Sequence, residues 1–374
     1  MTSISLRGPG DVVAALPFQL GYHPEDAVVV IALHDQVVGM IERLDLPAHE
    51  HAPEAADELV RPLRRERPDG VLVVAYESVA GASQPVLEAL SIALVGSGIP
   101  LLNRLVVRGG RWYSVGCDCC PRDGTLVPDP ADSPAVAELV GLEMSPLPAR
   151  SALSSMVAVD SRRAVPVGAA LRRLTGPETG VPQATAGGRA AQDHRIAVQR
   201  LSWLATWAVV LDVSDGAPPV EGIRPRDVAE LVLSLGDLQL RDGLVAWLCP
   251  GTLPLDLLSD DLVDGFHTVL PTPAWGDPDL RDTALQDGSA SIAGRRLVAR
   301  LQALCRAVPD PSAAGVLTVL ANVAWWLGDG AVARVCLDRA LEHSPDYRLA
   351  ELTRRLVEVG LRPRGRGRHP VSPR

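Results

Sequence analysis

Polar residues precede the first predicted strand at positions where they could act on a ligand. His23 and Asp26 lie three residues apart, directly before the apolar run 27–33. A histidine and a carboxylate on a rigid turn could serve as a general acid and base for a bound substrate. The alternative interpretation is structural, with Asp26 capping the turn and His23 hydrogen-bonded to nearby backbone.

A second polar pair, Arg43 and Asp45, lies on the next predicted strand. Side chains alternate along a strand, so residues two apart share a face of the sheet. The pair could bind an anion, but we favour an ion pair between the two residues or with the loop that holds His23. His23, Asp26, Arg43 and Asp45 are therefore the candidate catalytic residues, and the sequence assigns none of them a reaction.

Three thiols cluster within four residues at Cys117, Cys119 and Cys120. Thiolates are ligands that zinc prefers, and His23 or His34 would have to complete the coordination shell. The cysteines are closer together than in structural zinc sites. A redox-sensitive thiol, or small residues at the end of a strand, are therefore the alternatives to a metal site.

The signatures of common enzyme classes are absent from the sequence. The chain has no lysine, so it cannot complete a P-loop, and no predicted strand is followed by the glycine pattern of dinucleotide-binding folds. We therefore predict no cofactor and leave open whether the protein is an enzyme.

Composition excludes several other classes of protein. The formal net charge of -9 argues against general nucleic-acid binding, which needs a basic surface to displace counterions. The longest apolar runs are far too short to span a bilayer, and the first residues do not resemble a signal peptide. Six cysteines in 374 residues do not suggest a disulfide framework. We therefore expect reduced thiols and a cytoplasmic location.

Alternating strands and helices predict an α/β domain over residues 1–150. The runs 27–33 and 71–76 are nearly all apolar, as expected for strands that are covered by helices on both faces. The order of strands and helices predicts a mixed sheet with parallel pairs and flanking helices. The first and last hairpins would add antiparallel strands at its edges.

The second half of the chain has helical periodicity. We predict a linker with one short helix over residues 151–192, an all-α domain over 193–361, and a disordered Arg-rich tail over 362–374. Within residues 315–345, small and apolar residues at helix-crossing positions resemble a tetratricopeptide repeat. The alternative is an ordinary helical hairpin inside a globular domain, because a single repeat cannot bury its own face.

Several short blocks carry a family resemblance: Leu6-Arg7-Gly8-Pro9-Gly10-Asp11, Leu20-Gly21-Tyr22-His23-Pro24-Glu25-Asp26, Arg43-Leu44-Asp45-Leu46-Pro47, Trp112 with the cysteine cluster, and Ala324-Trp325-Trp326-Leu327-Gly328-Asp329-Gly330-Ala331. Together they resemble an actinobacterial family known as domain of unknown function 4192. The resemblance covers nearly the whole chain. It implies no activity, because the family has none assigned.

Two functional hypotheses follow. The one we favour from the sequence is a non-enzymatic protein-interaction or scaffold protein, which binds an unidentified protein partner through its helical domain. The alternative is a small-ligand sensor or enzyme with a site at the strand ends of the α/β domain, where open sheets bind ligands.

Overall fold

The structure is a computed structural model that describes residues 8–34, 37–117, 120–176, 189–274 and 289–360. The chain divides into two compact units after Arg150. We refer to the residues up to Arg150 as the α/β unit and to those from Ser151 onward as the helical unit. The predicted tail 362–374 and part of the predicted linker, 177–188, lie outside the described residues.

Helices and strands alternate in the α/β unit. In chain order its elements are α1 (Pro9–Leu20), β1 (Ala27–His34), β2 (Val37–Asp45), α2 (Ala52–Glu66), β3 (Gly70–Tyr76), α3 (Gln84–Gly96), β4 (Leu101–Arg108), β5 (Arg111–Ser114), β6 (Thr125–Leu126) and α4 (Pro134–Gly141). Gly21 ends α1 with a φ of 77°, which side-chain-bearing residues rarely adopt. This turn directs the chain from α1 toward the start of β1.

The six strands form one mixed sheet in the order β2-β1-β3-β4-β5-β6. β1 is antiparallel to both β2 and β3, whereas β3 and β4 are parallel. It follows that β2, β3 and β4 all run in the same direction. We expected the first hairpin at an edge of the sheet, and of its two strands β2 is an edge strand whereas β1 is not. β1 lies inside, because the connection through α2 carries the chain past it before β3 pairs with its other side.

Helices cover both faces of this sheet. One face packs α2 and α3 against alternate residues of the central strands, such as Val28 and Val73, and the other packs α1 against residues such as Val29 and Val74. α4 then packs on the outer side of α1, where Phe18 contacts Val136 and Leu139. Strands that are buried on both sides can hold only apolar residues, which explains the unbroken apolar runs.

The helical unit contains only helices among its described residues. They are α5 (Leu153–Val157), α6 (Ser161–Thr175), α7 (Arg189–Leu211), α8 (Pro225–Ser234), α9 (Leu238–Leu248), α10 (Asp260–Val269), α11 (Ser289–Arg306), α12 (Ala314–Leu327), α13 (Gly330–His343) and α14 (Arg348–Glu358). Residues 151–175, predicted as linker, form α5 and α6, and α6 packs against α8. The predicted fold class, an α/β part with a mixed sheet followed by an all-α part, is confirmed. No described helix is both long and apolar enough to cross a membrane.

The repeat-like hairpin consists of α12 and α13. Gly328 closes α12 with a left-handed conformation, and the carboxylate of Asp329 accepts a hydrogen bond from the backbone N–H of Val332 at 2.9 Å to begin α13. None of the residues of α12 is exposed, because neighbouring helices surround it. A helix that is apolar all round is a core helix. The likeness to a tetratricopeptide repeat stays a prediction.

Arg339 on α13 joins the ends of several helical elements. Its guanidinium donates to the carboxylate of Asp310 at 2.9 Å and to the backbone carbonyls of Val157 and Val308. Val157 ends α5, and Val308 lies just beyond the end of α11, where helical carbonyls lack partners within their own helix. One buried side chain therefore satisfies acceptors from three segments of the helical unit.

Replacing Arg339 should destabilise the helical unit specifically. In Arg339→Met, Asp310 and the carbonyls lose a charged donor, so we expect the free energy of unfolding to fall by about 2–4 kcal/mol. Hydrogen exchange of the α12 amides measures this loss. Arg354→Met is the matched control, because its ion pair with Glu358 is solvent-exposed, and it should change the same quantity by less than about 0.5 kcal/mol. Equal effects of the two substitutions would contradict this role.

Candidate functional site

The four candidate catalytic residues all lie at one edge of the sheet, the edge formed by strand ends. The carboxyl ends of β2, β3 and β4 meet at this edge, together with the start of the antiparallel strand β1. Asp26 directly precedes β1, Asp45 is the last residue of β2, and Arg43 lies two residues before it. The backbone N–H of Leu46 donates to the Asp26 carbonyl at 2.8 Å. The sheet therefore brings together residues that the sequence could only place near separate strand ends.

Asp26 joins the start of β1 to the end of β3. Its two carboxylate oxygens accept hydrogen bonds from the backbone N–H of Ser78 at 2.7 Å and from the Ser78 hydroxyl at 3.0 Å. Its φ of 37° is in the left-handed region, which aspartate tolerates better than most residues. We interpreted Asp26 as a cap of its own turn, whereas its carboxylate holds a segment 52 residues away.

His23 lies at the same edge with its side chain exposed. Its backbone N–H donates to the carbonyl of Leu147 at 2.9 Å, which ties the loop to a segment before Arg150. Ser78 occupies both oxygens of Asp26, and no hydrogen bond joins the His23 ring to that carboxylate among the described residues. The arrangement does not form the acid–base pair that the spacing suggested.

Arg43 and Asp45 form the ion pair that their common face predicts. The guanidinium of Arg43 lies 2.5 Å from the Asp45 carboxylate, and Arg150 donates to the second Asp45 oxygen at 3.1 Å. Burial opposes ionisation of Asp45, but the hydrogen bond and charge of Arg43, with Arg150, lower the pKa of Asp45 below its usual value. The Arg43 side chain is only 10% exposed, against 67% for Asp45, so the buried end of the pair is cationic.

Tyr76 ends β3 on the same face of the sheet as Arg43. In the strand register, Ala27 of β1 pairs with Tyr76 of β3 on one side and with Asp45 of β2 on the other. Two residues further along β1, Val29 pairs with Arg43 on the same face. Tyr76 is 8% exposed, and burial raises the pKa of its hydroxyl well above the ordinary value. The Tyr76 hydroxyl and the Arg43 Nε are both buried, and neither has a hydrogen-bond partner among the residues that the structure describes.

Glu77, on the opposite face, fixes the loop that follows β3. Its side chain is 2% exposed, and it accepts hydrogen bonds from the backbone N–H groups of Gly81 and Ser83, from the Ser83 hydroxyl at 2.6 Å, and from Arg108 at 2.5 Å. Burial opposes ionisation, but the donors of Ser83, Gly81 and Arg108 outweigh it and lower the pKa of Glu77. The loop between β3 and α3 is therefore held in one conformation beside the strand ends.

The cysteine cluster gives no support for a metal site in the described residues. Cys117 is disulfide-bonded, and Cys120 is partly buried. Our expectation of reduced thiols is therefore wrong at Cys117. Cys119 lies outside the described residues. No group of three or more potential metal ligands occurs in the part of the chain that the structure describes.

Sequence reasoning missed Tyr76, Glu77, Ser78, Arg108 and Arg150. A usable signal existed for the first three, since Tyr76 ends an apolar run that we predicted as a buried strand, and Glu77 and Ser78 directly follow it. Polar residues at the carboxyl ends of strands are candidates for ligand contact in open sheets. Arg150 carried no such signal, because its partner Asp45 is 105 residues away in sequence.

A family model described as "Domain of unknown function (DUF4192)" matches residues 9–253 and 272–364. The chain belongs to this family. The matched segments include every described candidate residue at the sheet edge, and the family description assigns them no role. Neither the curated proteins nor the solved structures contain a match to the chain.

Removing the Glu77 charge should destabilise the α/β unit in a pH-dependent way. Because the pKa of Glu77 is lowered, its carboxylate stabilises the fold above the unfolded pKa of about 4.3, and that contribution is lost as the pH falls through the folded pKa. At pH 7 we expect Glu77→Gln to lower the free energy of unfolding by about 2–4 kcal/mol. The difference in the free energy of unfolding between the wild-type protein and Glu77→Gln should be constant around neutral pH and should shrink below about pH 4.

Hydrogen exchange of the β3 and β4 amides measures this free energy in the α/β unit. Glu88→Gln on α3 is the control, since Glu88 is exposed and accepts a hydrogen bond only from the neighbouring turn. If Glu77→Gln lowers the free energy of unfolding by the same amount at every pH, then the packing of the Glu77 side chain, and not its charge, stabilises the loop.

Proposed function

We propose that the protein is a small-ligand binding protein, whose site lies at the carboxyl edge of the sheet in the α/β unit. The observation that carries this proposal is the pair of unpartnered buried groups, the Arg43 Nε and the Tyr76 hydroxyl. A buried polar group without a partner costs about 1–3 kcal/mol, so nearly all such groups in folded proteins are satisfied. Two of them on one face, on the two strands that flank β1, favour a ligand as their missing partner.

The position of these groups supports the same proposal. Open sheets with parallel strands bind ligands beyond the carboxyl ends of the strands, where loops rather than helices cover the sheet. The loops at this edge are held by Asp26 with Ser78 and by Glu77 with Ser83 and Arg108. Such fixed loops reduce the conformational entropy lost on binding, which favours a preformed site.

Binding without catalysis is the form of this proposal that the side chains support. The carboxylates of Asp26 and Asp45 are engaged by Ser78 and by two arginines. A catalytic base must be within hydrogen-bond reach of the proton that it abstracts, and donors already bound to a carboxylate compete with that proton. These carboxylates serve instead to hold the strand ends and the arginines in position.

A ligand screen with residue-level mapping tests the proposal. Compounds that raise the melting temperature should slow hydrogen exchange at residues 26–29, 43–46 and 76–78. Arg43→Gln should weaken their binding at least about tenfold, which corresponds to 1.4 kcal/mol. Arg61→Gln on the exposed side of α2 should leave their affinity unchanged. Hits that map only to the helical unit, or that bind Arg43→Gln normally, would exclude this site.

A second candidate function is protein interaction through the helical unit, the role that we favoured from the sequence. It is supported by an apolar stripe on α14, where Leu352, Leu356 and Val359 are 42%, 37% and 44% exposed. Residues at this spacing share one face of a helix. A partner helix would bind there, because the residues of α12 in the repeat-like hairpin are covered. Either role is proposed for an actinobacterial cytoplasm, without general affinity for nucleic acid.

Charges on this stripe should weaken partner binding without unfolding the protein. We expect Leu352→Lys combined with Leu356→Lys to weaken capture of a partner at least about tenfold, because burying an unpaired charge is costly. The control is Leu238→Lys, at a 61% exposed position on α9. Quantitative crosslinking measures capture, and thermal melts check folding. If the wild-type protein, the double variant and the control capture the partner equally, the α14 surface is not the binding site.

A further inference from the structure

An arginine borders the apolar stripe of α14. Arg355 follows Leu352 by three residues and precedes Val359 by four, so its side chain lies beside both on the helix surface. It is exposed, and none of the ion pairs in the described part of the chain involves it. A positive charge without a partner therefore lies at the border of the exposed apolar residues.

The negative charges of α14 are engaged within the helix. The carboxylate of Glu351 lies 3.9 Å from the guanidinium of Arg348, and that of Glu358 lies 3.1 Å from the guanidinium of Arg354. Such pairs, three or four residues apart, are common on helix surfaces. Because both glutamates have arginine partners, neither offsets the charge of Arg355.

The chain adds further positive charge directly after α14. The Arg-rich tail, residues 362–374, contains five arginines and no aspartate or glutamate, although the whole chain has a formal net charge of -9. A polypeptide spans at most about 3.6 Å per residue, so the Cα atom of Arg362 is within about 11 Å of that of Val359. The covalent connection alone therefore keeps positive charge near the end of the stripe.

The stripe lies to one side of the outermost line of α14. The buried residues of this helix are Ala350, Thr353 and Val357. At about 100° per residue, Arg348 and Arg355 lie opposite to them and point farthest outward. A flat lipid surface would meet these arginines before it reached the leucines of the stripe. A helix, with a diameter of about 10–12 Å, is narrow enough to pack beside the arginines and against the stripe.

We propose that the partner of α14 is an acidic amphipathic helix. Its apolar face covers Leu352, Leu356 and Val359, and carboxylates beside that face meet Arg355 and the Arg-rich tail. Apolar contact is non-directional, whereas hydrogen bonds between arginine and carboxylate are strong and select one partner from others. This inference rests on the second candidate function, because it names the class of partner that the α14 surface takes.

The test uses the full chain and two synthetic peptides of about 18 residues, which form roughly five helical turns. Both have leucine at the same positions along one helix face, and the flanking positions hold glutamate in one peptide and lysine in the other. Fluorescence anisotropy at low salt measures binding. We expect the dissociation constant of the glutamate peptide to be at least about tenfold lower than that of the lysine peptide. In 1 M salt, where the Debye length is about 3 Å, this difference should shrink.

Matched charge variants test the tail. Arg364→Gln combined with Arg366→Gln removes two positive charges from it and should raise the dissociation constant of the glutamate peptide about tenfold. Arg172→Gln combined with Arg173→Gln removes the same charge from two exposed positions of α6. This control should leave the dissociation constant unchanged, because the effect depends on position and not on net charge.

Two further variants test α14 itself. Arg355→Gln should raise the dissociation constant of the glutamate peptide by about threefold to tenfold, and it should not weaken binding of the lysine peptide. Leu352→Gln combined with Leu356→Gln should weaken binding of both peptides at least about tenfold, because it removes the apolar contact. Thermal melts check that each variant is folded.

The outcomes separate this inference from the second candidate function. If the lysine peptide binds as tightly as the glutamate peptide, or if the preference for glutamate survives the arginine substitutions, the acidic partner is wrong. The same holds if the glutamate peptide does not bind at about 1 mM while phosphatidylglycerol vesicles or an RNA oligonucleotide bind. In each case, loss of partner capture by Leu352→Lys with Leu356→Lys would still support α14 as a docking surface. If capture is unchanged as well, both proposals fail.

Discussion

Burial of the central sheet on both faces is the constraint on which the α/β unit depends. Val28, Val29 and Val30 of β1 have no solvent exposure, and strands on either side satisfy the backbone of β1. Such a strand has no place for a polar side chain without a partner, because desolvation of that group costs several kcal/mol. In β1 and β3, polar residues are therefore confined to the strand ends. The position of any ligand site in this unit follows from that exclusion.

At the strand ends, most buried polar groups find partners from distant segments. Asp26 holds the end of β3 through Ser78, and Glu77 holds the loop before α3. A buried carboxylate is tolerated when several donors offset its desolvation, as the backbone, hydroxyl and guanidinium donors do for Glu77. Arg43 Nε and the Tyr76 hydroxyl do not follow this pattern. Buried polar groups that lack a hydrogen-bond partner in an otherwise well-paired structure are expected at functional sites.

In the helical unit, the fully buried central element is a helix instead of a strand, and the polar groups around it also need partners. α12 has no exposed residue on any side, and the surrounding helices cover it. The ends of these helices expose carbonyl groups that need donors, and Arg339 supplies them from α13. α14 is instead amphipathic, with Ala350, Thr353 and Val357 buried and an apolar stripe left on its outer side. The core and the exposed stripe of this unit therefore have separate physical origins.

The amino-acid sequence by itself determined the elements of this protein and their general order. Apolar runs such as 27–33 and 71–76 predicted buried strands, and the helical periodicity predicted the second unit, because side-chain burial repeats locally with the period of each element. The sequence also placed His23, Asp26, Arg43 and Asp45 near strand ends. That much depends only on neighbours in the chain.

Only the tertiary structure decided which strand ends meet and which side chains pair. The insertion of β1 between β2 and β3 brings Asp45, Ala27 and Tyr76 into one row. Asp26 pairs with Ser78 across 52 residues, and Arg150 pairs with Asp45 across 105. Local patterns could not predict these partners, since the chain reaches them by returning through crossover helices. They also could not show that Tyr76 and Arg43 keep donors unpartnered, because that depends on every group packed around them.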